Sequence, residues 1–235
     1  MKPYQIERRQ FILGGAALLL CESRSVFALS ISQISQGDAA SGLTSLLGQA
    51  AEIAVKQLGV AGGFNNDSRV HIKLPQKLDS ANTLLRRLGM SKQLDQLENN
   101  MNSAAEQAVA LAKPILTNAI SNMTFQDAKS IVTGGDRAGT AYLERSSRSS
   151  LFSSFQPVVK NVVGKTSVAT QYNALASKVS ALGMTDKDFS IETYVTDKAL
   201  DGLFNIMGEK ESYIRNNPAE AAGSITKKIL EVLSK

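Results

Sequence analysis

The residues of this chain best suited to chemistry are acidic, basic and aromatic side chains in its second half. Carboxylates that share a helix face can hold a divalent cation or exchange protons, and arginines beside them favour an anionic ligand. Asp197 and Asp201 are four residues apart and therefore share a face of a helix. The candidate ligand-binding residues are Asp127, Asp136, Tyr142, Arg145, Arg148, Asp197 and Asp201.

A structural role for the same residues is the simpler interpretation. Asp127 and Asp136 stand where they can cap helices, and Asp197 and Asp201 can form ion pairs with Arg145 or Arg148. No Glu-x-x-His motif or zinc-ligand spacing accompanies these carboxylates, so the sequence predicts no metal and no cofactor. It assigns no catalytic residue.

The chain has a single His and a single Cys, which limits the metal sites and nucleophiles that it can form. His71 falls on the polar side of a short alternating segment, where we expect a solvated or locally bonded imidazole and not a metal ligand or a base. Cys21 lies inside a predicted export signal, so the mature chain has no thiol. Disulfides, thiolate metal sites and cysteine nucleophiles are therefore excluded for the mature protein.

The elements that position the candidates meet in the stretch from Asn122 to Tyr142. Thr124 precedes Asp127 by three residues, which predicts a capping box at the start of a short helix. We expect Gly134 to end that helix in the left-handed conformation and Asp136 to cap the next one. The chain therefore reverses near its middle, and both halves are expected to pack around this point.

Apolar residues recur at helical spacing through most of the chain, which predicts an all-α fold. The pattern indicates one compact, bundle-like domain of about eight helices joined by short loops, with at most one short extended segment near residues 69–74. Pro157 is expected to open a separate segment, because proline cannot supply a helical N–H. The predicted helices cover residues 42–58, 76–88, 91–123 with a break at Pro114, 124–134, 136–155, 167–182, 190–216 and 219–233.

The N-terminal residues are typical of a bacterial export signal, predicted to span residues 1–28. Arg8-Arg9 followed by Gln-Phe-Ile-Leu indicates a twin-arginine signal, and an ordinary secretory signal is the alternative. The apolar part, Phe11 to Leu20, is too short to span a membrane. Leu20 before Cys21 argues against lipid anchoring at that cysteine. We therefore predict a periplasmic protein with a flexible tether at 29–41 and a domain at 42–235.

Charge is distributed unevenly along the predicted mature chain. It carries 22 basic and 19 acidic residues, a net charge of +3, which disfavours a nucleic-acid-binding function. Residues 137–185 hold six basic residues and only Glu144 as an acid, whereas residues 186–235 have a net charge of −2. The basic middle either faces anionic lipid headgroups or an acidic partner, or balances the acidic C-terminal region within the fold.

Three blocks of sequence resemble one known family. They run from Asn122 to Val159 (NMTFQDAKSIVTGGDRAGTAYLERSSRSSLFSSFQPVV), from Tyr194 to Ala219, and, more weakly, from Val70 to Ala108. Together they resemble the bacterial envelope family called domain of unknown function 4197. The resemblance implies a secreted or lipid-anchored helical domain, and it carries over no established activity or catalytic residue.

Three functions remain open from the sequence. The first is a non-enzymatic periplasmic binding or scaffold protein whose partner is an apolar or anionic ligand, a lipid or an envelope protein. The second is a hydrolase that uses Asp127, Asp136 or Asp201 with Tyr142. The third is a structural protein that assembles through its Ala-rich helix, residues 104–112. No nucleic-acid partner and no transmembrane helix in the mature chain are predicted, and the oligomeric state stays open.

Overall fold

The computed structural model describes residues 36–75, 82–83, 86–164, 169–170, 173, 190–223, 226–227 and 230. Within these residues the chain is helical and contains no strand, which confirms the predicted all-α class. Six α-helices are present there and not the predicted eight. The predicted helices at 76–88 and 167–182 lie largely outside the described residues, and the one at 91–123 is divided in two. The predicted start of a helix at 219 is wrong, because residues 219–223 form part of a 3₁₀ turn and bends. The helices are α1 Gln36–Leu58, α2 Ser91–Val109, α3 Ala112–Ser121, α4 Phe125–Val132, α5 Ala138–Val162 and α6 Ile191–Asn216, followed by a 3₁₀ turn at Pro218–Glu220.

The core forms where α5 and α6 pack along each other, with α1 against α6 and α2 against both. Leucines such as Leu47, Leu97 and Leu203 are buried completely or almost so, and each contributes about 2 kcal/mol of hydrophobic stabilisation. The Ala-rich face of α2 is also buried, since Ala104 and Ala108 have no exposed surface. Small side chains at these positions let neighbouring helices approach closely. The Ala-rich stretch is thus used inside the molecule.

The first helix is longer than predicted and is tied to the last described part of the chain. It begins at Gln36, inside the segment predicted as a tether. Gln49 donates to the carbonyl of Glu220 at 3.1 Å and accepts from the N–H of Ala222 at 2.8 Å. Ser45 donates to the Ala222 carbonyl at 3.1 Å. These bonds hold the chain after α6 against the first helix.

The two prolines of the helical region behave differently. Pro114 lies in the first turn of α3, where no intrahelical N–H is required, so the predicted break separates α2 from α3. The prediction that Pro157 opens a new segment is wrong, because α5 continues through it to Val162. Pro157 leaves the carbonyl of Ser153 without its helical partner, but both residues are exposed and water can satisfy that oxygen.

The segment at residues 71–75 has neither helical nor strand structure and is held by side chains of α2. Asn102, which is fully buried, accepts from the N–H of Ile72 at 2.8 Å and donates to its carbonyl at 2.9 Å. It therefore satisfies both backbone groups of Ile72, as a neighbouring strand would. Glu98 accepts from the N–H of Leu74 at 3.2 Å. The alternating pattern at 69–74 thus marks a segment clamped onto a helix.

Candidate functional site

The corner between α4 and α5 brings Asp127 and Tyr142 together. Thr124 and Asp127 form the predicted capping box, with the Asp127 N–H donating to the Thr124 hydroxyl at 3.2 Å and the Thr124 N–H donating to the carboxylate at 3.0 Å. The Tyr142 hydroxyl donates to the same carboxylate at 3.4 Å. Hydrogen bonds from Thr124 lower the pKa of Asp127, while burial and the Asp127 charge raise the pKa of Tyr142. At neutral pH the pair is a carboxylate and a protonated phenol.

Arg148 is the centre of an ionic cluster between α5 and α6. Its guanidinium contacts Glu144 at 2.8 Å, Asp201 at 2.8 Å and Asp197 at 3.3 Å. Lys198 reaches the second oxygen of Asp201 at 3.0 Å. Burial alone would raise the pKa of Asp201, but the hydrogen bonds from Arg148 and Lys198 outweigh it and lower that pKa. Asp197 and Asp201 are therefore ion-pair partners of an arginine.

Asp136 does not cap α5, contrary to the prediction. Its carboxylate accepts from Asn216 at 3.2 Å and from Ser212 at 3.4 Å. The free N–H groups at the start of α5 are satisfied by Glu211, a fully buried residue of α6 that accepts from the N–H of Gly139 at 3.0 Å and of Thr140 at 2.7 Å. A carboxylate from another helix thus replaces the local cap and faces the positive end of the helix dipole.

Glu211 is neutralised by Arg215, one turn later on α6. The guanidinium donates to the carboxylate from Nε at 3.0 Å and from a terminal nitrogen at 2.9 Å. Arg215 also donates to the carbonyl of Ile131 at the end of α4, at 3.3 Å. The pair therefore links the end of α4 to the start of α5.

The glycines of this reversal serve close packing. A Cβ on Gly139 would lie 2.3 Å from Leu47 Cδ2 and 2.9 Å from a Glu211 oxygen, so only glycine lets α5 begin against α1 and α6. The expectation that Gly134 is left-handed is wrong, because its φ is not positive. A Cβ there would lie 2.6 Å from the Cβ of Ala138. Both positions need the absence of a side chain.

Sequence reasoning missed the polar row of α2. Glu98, Asn102 and Glu106 recur every four residues and hold the segment before α2; Glu106 accepts from the N–H of Phe64 at 3.0 Å and of Asn65 at 3.2 Å. His71 contacts Glu98 at 3.0 Å and the Asn65 carbonyl at 3.2 Å, so it is locally bonded as expected. The sequence did contain a signal for this row: three hydrogen-bonding side chains at a spacing of four residues lie next to the apolar stripe of α2.

An open cleft of about 590 Å³ lies along the middle of α5, lined among the described residues by Glu144, Arg145, Arg148, Ser149, Phe152 and Ser153. Arg148 is already occupied by three carboxylates. Arg145 is exposed, and no carboxylate of the described residues lies within salt-bridge distance of its guanidinium. Phe152 is half-buried and contributes an apolar wall. The cleft thus presents one available cation beside an aromatic ring and two hydroxyls.

A smaller groove of about 150 Å³ lies on a neighbouring face of α5, against α3. Its polar lining residues are Asn118, Asn122, Tyr142, Ser146, Ser147 and Ser150. None of these side chains is a carboxylate, an amine or a guanidinium. The groove and the cleft therefore differ in charge.

The predicted site residues do not converge on one centre. Asp127 meets Tyr142, Arg148 meets Asp197 and Asp201, Asp136 joins the end of α6, and Arg145 lies at the cleft. Among the residues that the structure describes, no group of three His, Cys, Asp or Glu side chains is arranged to hold a metal ion. The arrangement is suited to ion pairing, capping and the binding of a ligand at α5.

Comparison with known proteins agrees with the sequence blocks given above. Residues 33–231 match the family described as "Protein of unknown function (DUF4197)". The chain belongs to this family. No curated protein and no solved structure matches it. In the described part of this family member, no helix is both long and apolar enough to cross a bilayer.

Proposed function

We propose that this DUF4197 protein is a non-enzymatic binding protein of the bacterial periplasm that holds an anionic ligand with an apolar part in the α5 cleft. The observation that carries the proposal is the contrast between two arginines of one helix. Arg148 is paired with three carboxylates, whereas Arg145, three residues earlier, lines the same cleft without an ion-pair partner among the described residues. An available guanidinium beside hydroxyls is suited to a carboxylate or phosphate group.

The remaining lining of the cleft supports an amphiphilic ligand. Phe152 offers an aromatic wall to an apolar chain, and Ser149 and Ser153 offer hydrogen bonds near the charged group. The net charge of +5 in residues 137–185 is partly offset at the cleft by Asp197 and Asp201, so Arg145 supplies the attraction for an anion.

The pattern of charges in the described residues gives less support to a hydrolase. Asp127 and Tyr142 are in contact, but their pKa values move away from neutrality in opposite directions. Neither group is then well placed to exchange a proton near pH 7. Asp201 and Asp136 are bound to other partners.

Location in the periplasm is part of the proposal and rests on Arg8-Arg9 and the short apolar run after them. It is tested by replacing both arginines with lysine and following the protein in cell fractions. Loss of the periplasmic protein, with accumulation in the cytoplasm, supports twin-arginine export. Unchanged periplasmic protein would favour the ordinary secretory route, and cytoplasmic wild type would overturn the location.

The binding function is tested with native mass spectrometry and calorimetry on the mature protein. The probes are a short-chain phosphatidylglycerol, which is anionic, and the matching phosphatidylcholine, which has no net charge. We expect binding of the anionic probe only, weakened roughly tenfold or more by Arg145→Gln, the loss of about 1.4 kcal/mol or more of binding free energy.

Arg87→Gln is the matched control, because Arg87 is an exposed arginine on another part of the chain and its removal changes net charge equally. It should leave the affinity unchanged. Equal weakening by both substitutions would show that only overall charge matters, and equal binding of both probes would remove the role assigned to Arg145.

A further inference from the structure

We infer that the groove between α3 and α5 is a separate site for a neutral sugar ring, either free or at the end of a glycan. This inference does not depend on the anionic ligand proposed for the α5 cleft. It starts from the charge of the lining: the six polar side chains that face the groove are carboxamides, hydroxyls and one phenol.

The hydrogen-bonding groups of the groove are mixed and partly unused. Asn122 donates to Asn118 at 3.3 Å, which leaves the Asn118 amide hydrogens and the Asn122 carbonyl oxygen without a partner among the described residues. Ser150 forms no hydrogen bond within that part of the chain, and Ser146 donates to Leu143 at 3.3 Å, so its oxygen can still accept. Donors and acceptors are therefore both present in the groove. Sugar hydroxyls, which both donate and accept, match such a lining.

The groove also has an apolar component of suitable shape. Tyr142 is half-buried and its hydroxyl donates to Asp127 at 3.4 Å, which favours one orientation of the ring. Ile115 and Ala119 of α3 complete the lining. An aromatic ring next to carboxamides can contact the C–H face of a sugar while the amides bind its hydroxyls.

Size and charge restrict the ligand to a small neutral molecule. A volume of about 150 Å³ is well below the roughly 300–1,000 Å³ of drug-sized pockets, and an apolar cavity of about 150 Å³ holds one six-membered benzene ring. At the Tyr142 end the Asp127 carboxylate is balanced by the nearby Arg145 charge, so no net charge favours an ion there. The groove thus selects one uncharged ring, whereas Arg145 in the cleft selects a negative group.

The test is an NMR titration of the mature protein, combining saturation transfer with amide shift mapping. The probes are N-acetylglucosamine, its β-1,4-linked disaccharide, and inorganic phosphate as the anionic comparison. We expect both sugars to bind, with shifts confined to residues of α3 and the first half of α5. Tighter binding of the disaccharide would identify the end of a glycan as the source, and equal binding would identify a free sugar.

Two substitutions locate the site. Ser150→Leu fills the groove from an exposed helix position and should weaken sugar binding roughly tenfold or more, about 1.4 kcal/mol or more. Asn118→Asp changes one atom, adds a negative charge and should also weaken it. Ser149→Leu, on the adjacent cleft face, should leave sugar binding unchanged, while Ser150→Leu should leave phosphatidylglycerol binding unchanged.

The inference is overturned if neither sugar gives saturation transfer, if phosphate alone shifts the groove residues, or if Ser150→Leu and Asn118→Asp bind sugar as the wild type does. Because these readouts use a different ligand and different residues from the cleft experiment, either proposal can fail while the other holds.

Discussion

Two sets of polar side chains in this molecule use their charges in different ways. The interior set, Glu211, Glu106 and Asn102, is buried and binds backbone groups of segments far away in sequence. The surface set, centred on Asp127 and Arg148, binds neighbouring side chains at the edges of α5. The interior set therefore holds backbone segments in place, whereas the Arg148 cluster joins α5 to α6 through ion pairs. Only the surface set borders the cleft and the groove, where an external ligand can reach it.

The largest expected effect belongs to Glu211→Ala. Removing this carboxylate leaves Arg215 buried without its partner and frees the N–H groups of Gly139 and Thr140, so we expect a loss of about 3–5 kcal/mol in the free energy of unfolding. Urea denaturation followed by circular dichroism measures it. The matched control is Glu209→Ala, two residues earlier on α6, whose partner Arg69 is exposed; its cost should be about 1 kcal/mol or less. Equal losses would contradict the larger contribution assigned to the buried carboxylate.

Asn102→Ala should rank second. It removes both bonds to Ile72 and leaves a buried N–H and carbonyl unpaired, at a cost of about 1–3 kcal/mol. Hydrogen exchange at the Ile72 amide should accelerate more than exchange in the middle of α2. Asn99→Ala, an exposed position of the same helix, serves as the control. Unchanged protection of Ile72 would mean that Asn102 does not clamp this segment.

Gly139→Ala tests the close packing around the buried Glu211 carboxylate. The added methyl group would meet Leu47 and the Glu211 carboxylate, so we expect a destabilisation of about 1–3 kcal/mol, read from the thermal midpoint. Gly48→Ala is the control, because no atom lies within 4 Å of a Cβ built there. In the interior of α1 it should stabilise the protein by about 0.5–1 kcal/mol. Destabilisation by both substitutions would contradict the contact assigned to Gly139.

The smallest effect concerns a surface ion pair outside both sets, Asp67 with Arg69, and depends on pH. A hydrogen bond from Arg69 lowers the pKa of Asp67 to about 2, below its unfolded value of about 3.9. The stabilisation is present above the unfolded pKa and is lost as the pH falls through the folded one. Asp67→Asn should therefore lower the unfolding free energy by about 1 kcal/mol at pH 7, and the difference from wild type should fade between about pH 4 and pH 2. A difference independent of pH would exclude this pair as its source.

Local sequence rules predicted the parts of the fold that depend on near neighbours. The Thr124–Asp127 capping box, whose two residues are three positions apart, was confirmed. The Ser190 hydroxyl caps α6 with the same spacing, accepting from the N–H of Thr193 at 3.1 Å. Glu211 and Gly139 are 72 residues apart, so no local rule could link them. Asp136 was assigned to the wrong partner for the same reason: a cap next to a helix and a contact with α6 look identical in sequence.

The sequence predicted which residues of the candidate site carry charge, but it did not predict which of them contact each other. The acidic pair Asp197 and Asp201 was correctly expected to find an arginine, because the spacing places both on one face of α6. Which arginine they bind depends on how α5 packs against α6. The observed packing places Arg148 and not Arg145 against the acidic pair, and sequence spacing alone does not determine this packing.

The bonds from Ser45 and Gln49 to the segment after α6 have a consequence for biosynthesis. Their partners lie more than 170 positions later in the chain, so α1 leaves the ribosome long before Glu220 and Ala222 are made. Such distant contacts close late and slow the folding of the whole domain. Residues made after α6 therefore complete these contacts of the first helix, and a chain that stops at Asn216 would lack the three bonds to Ser45 and Gln49.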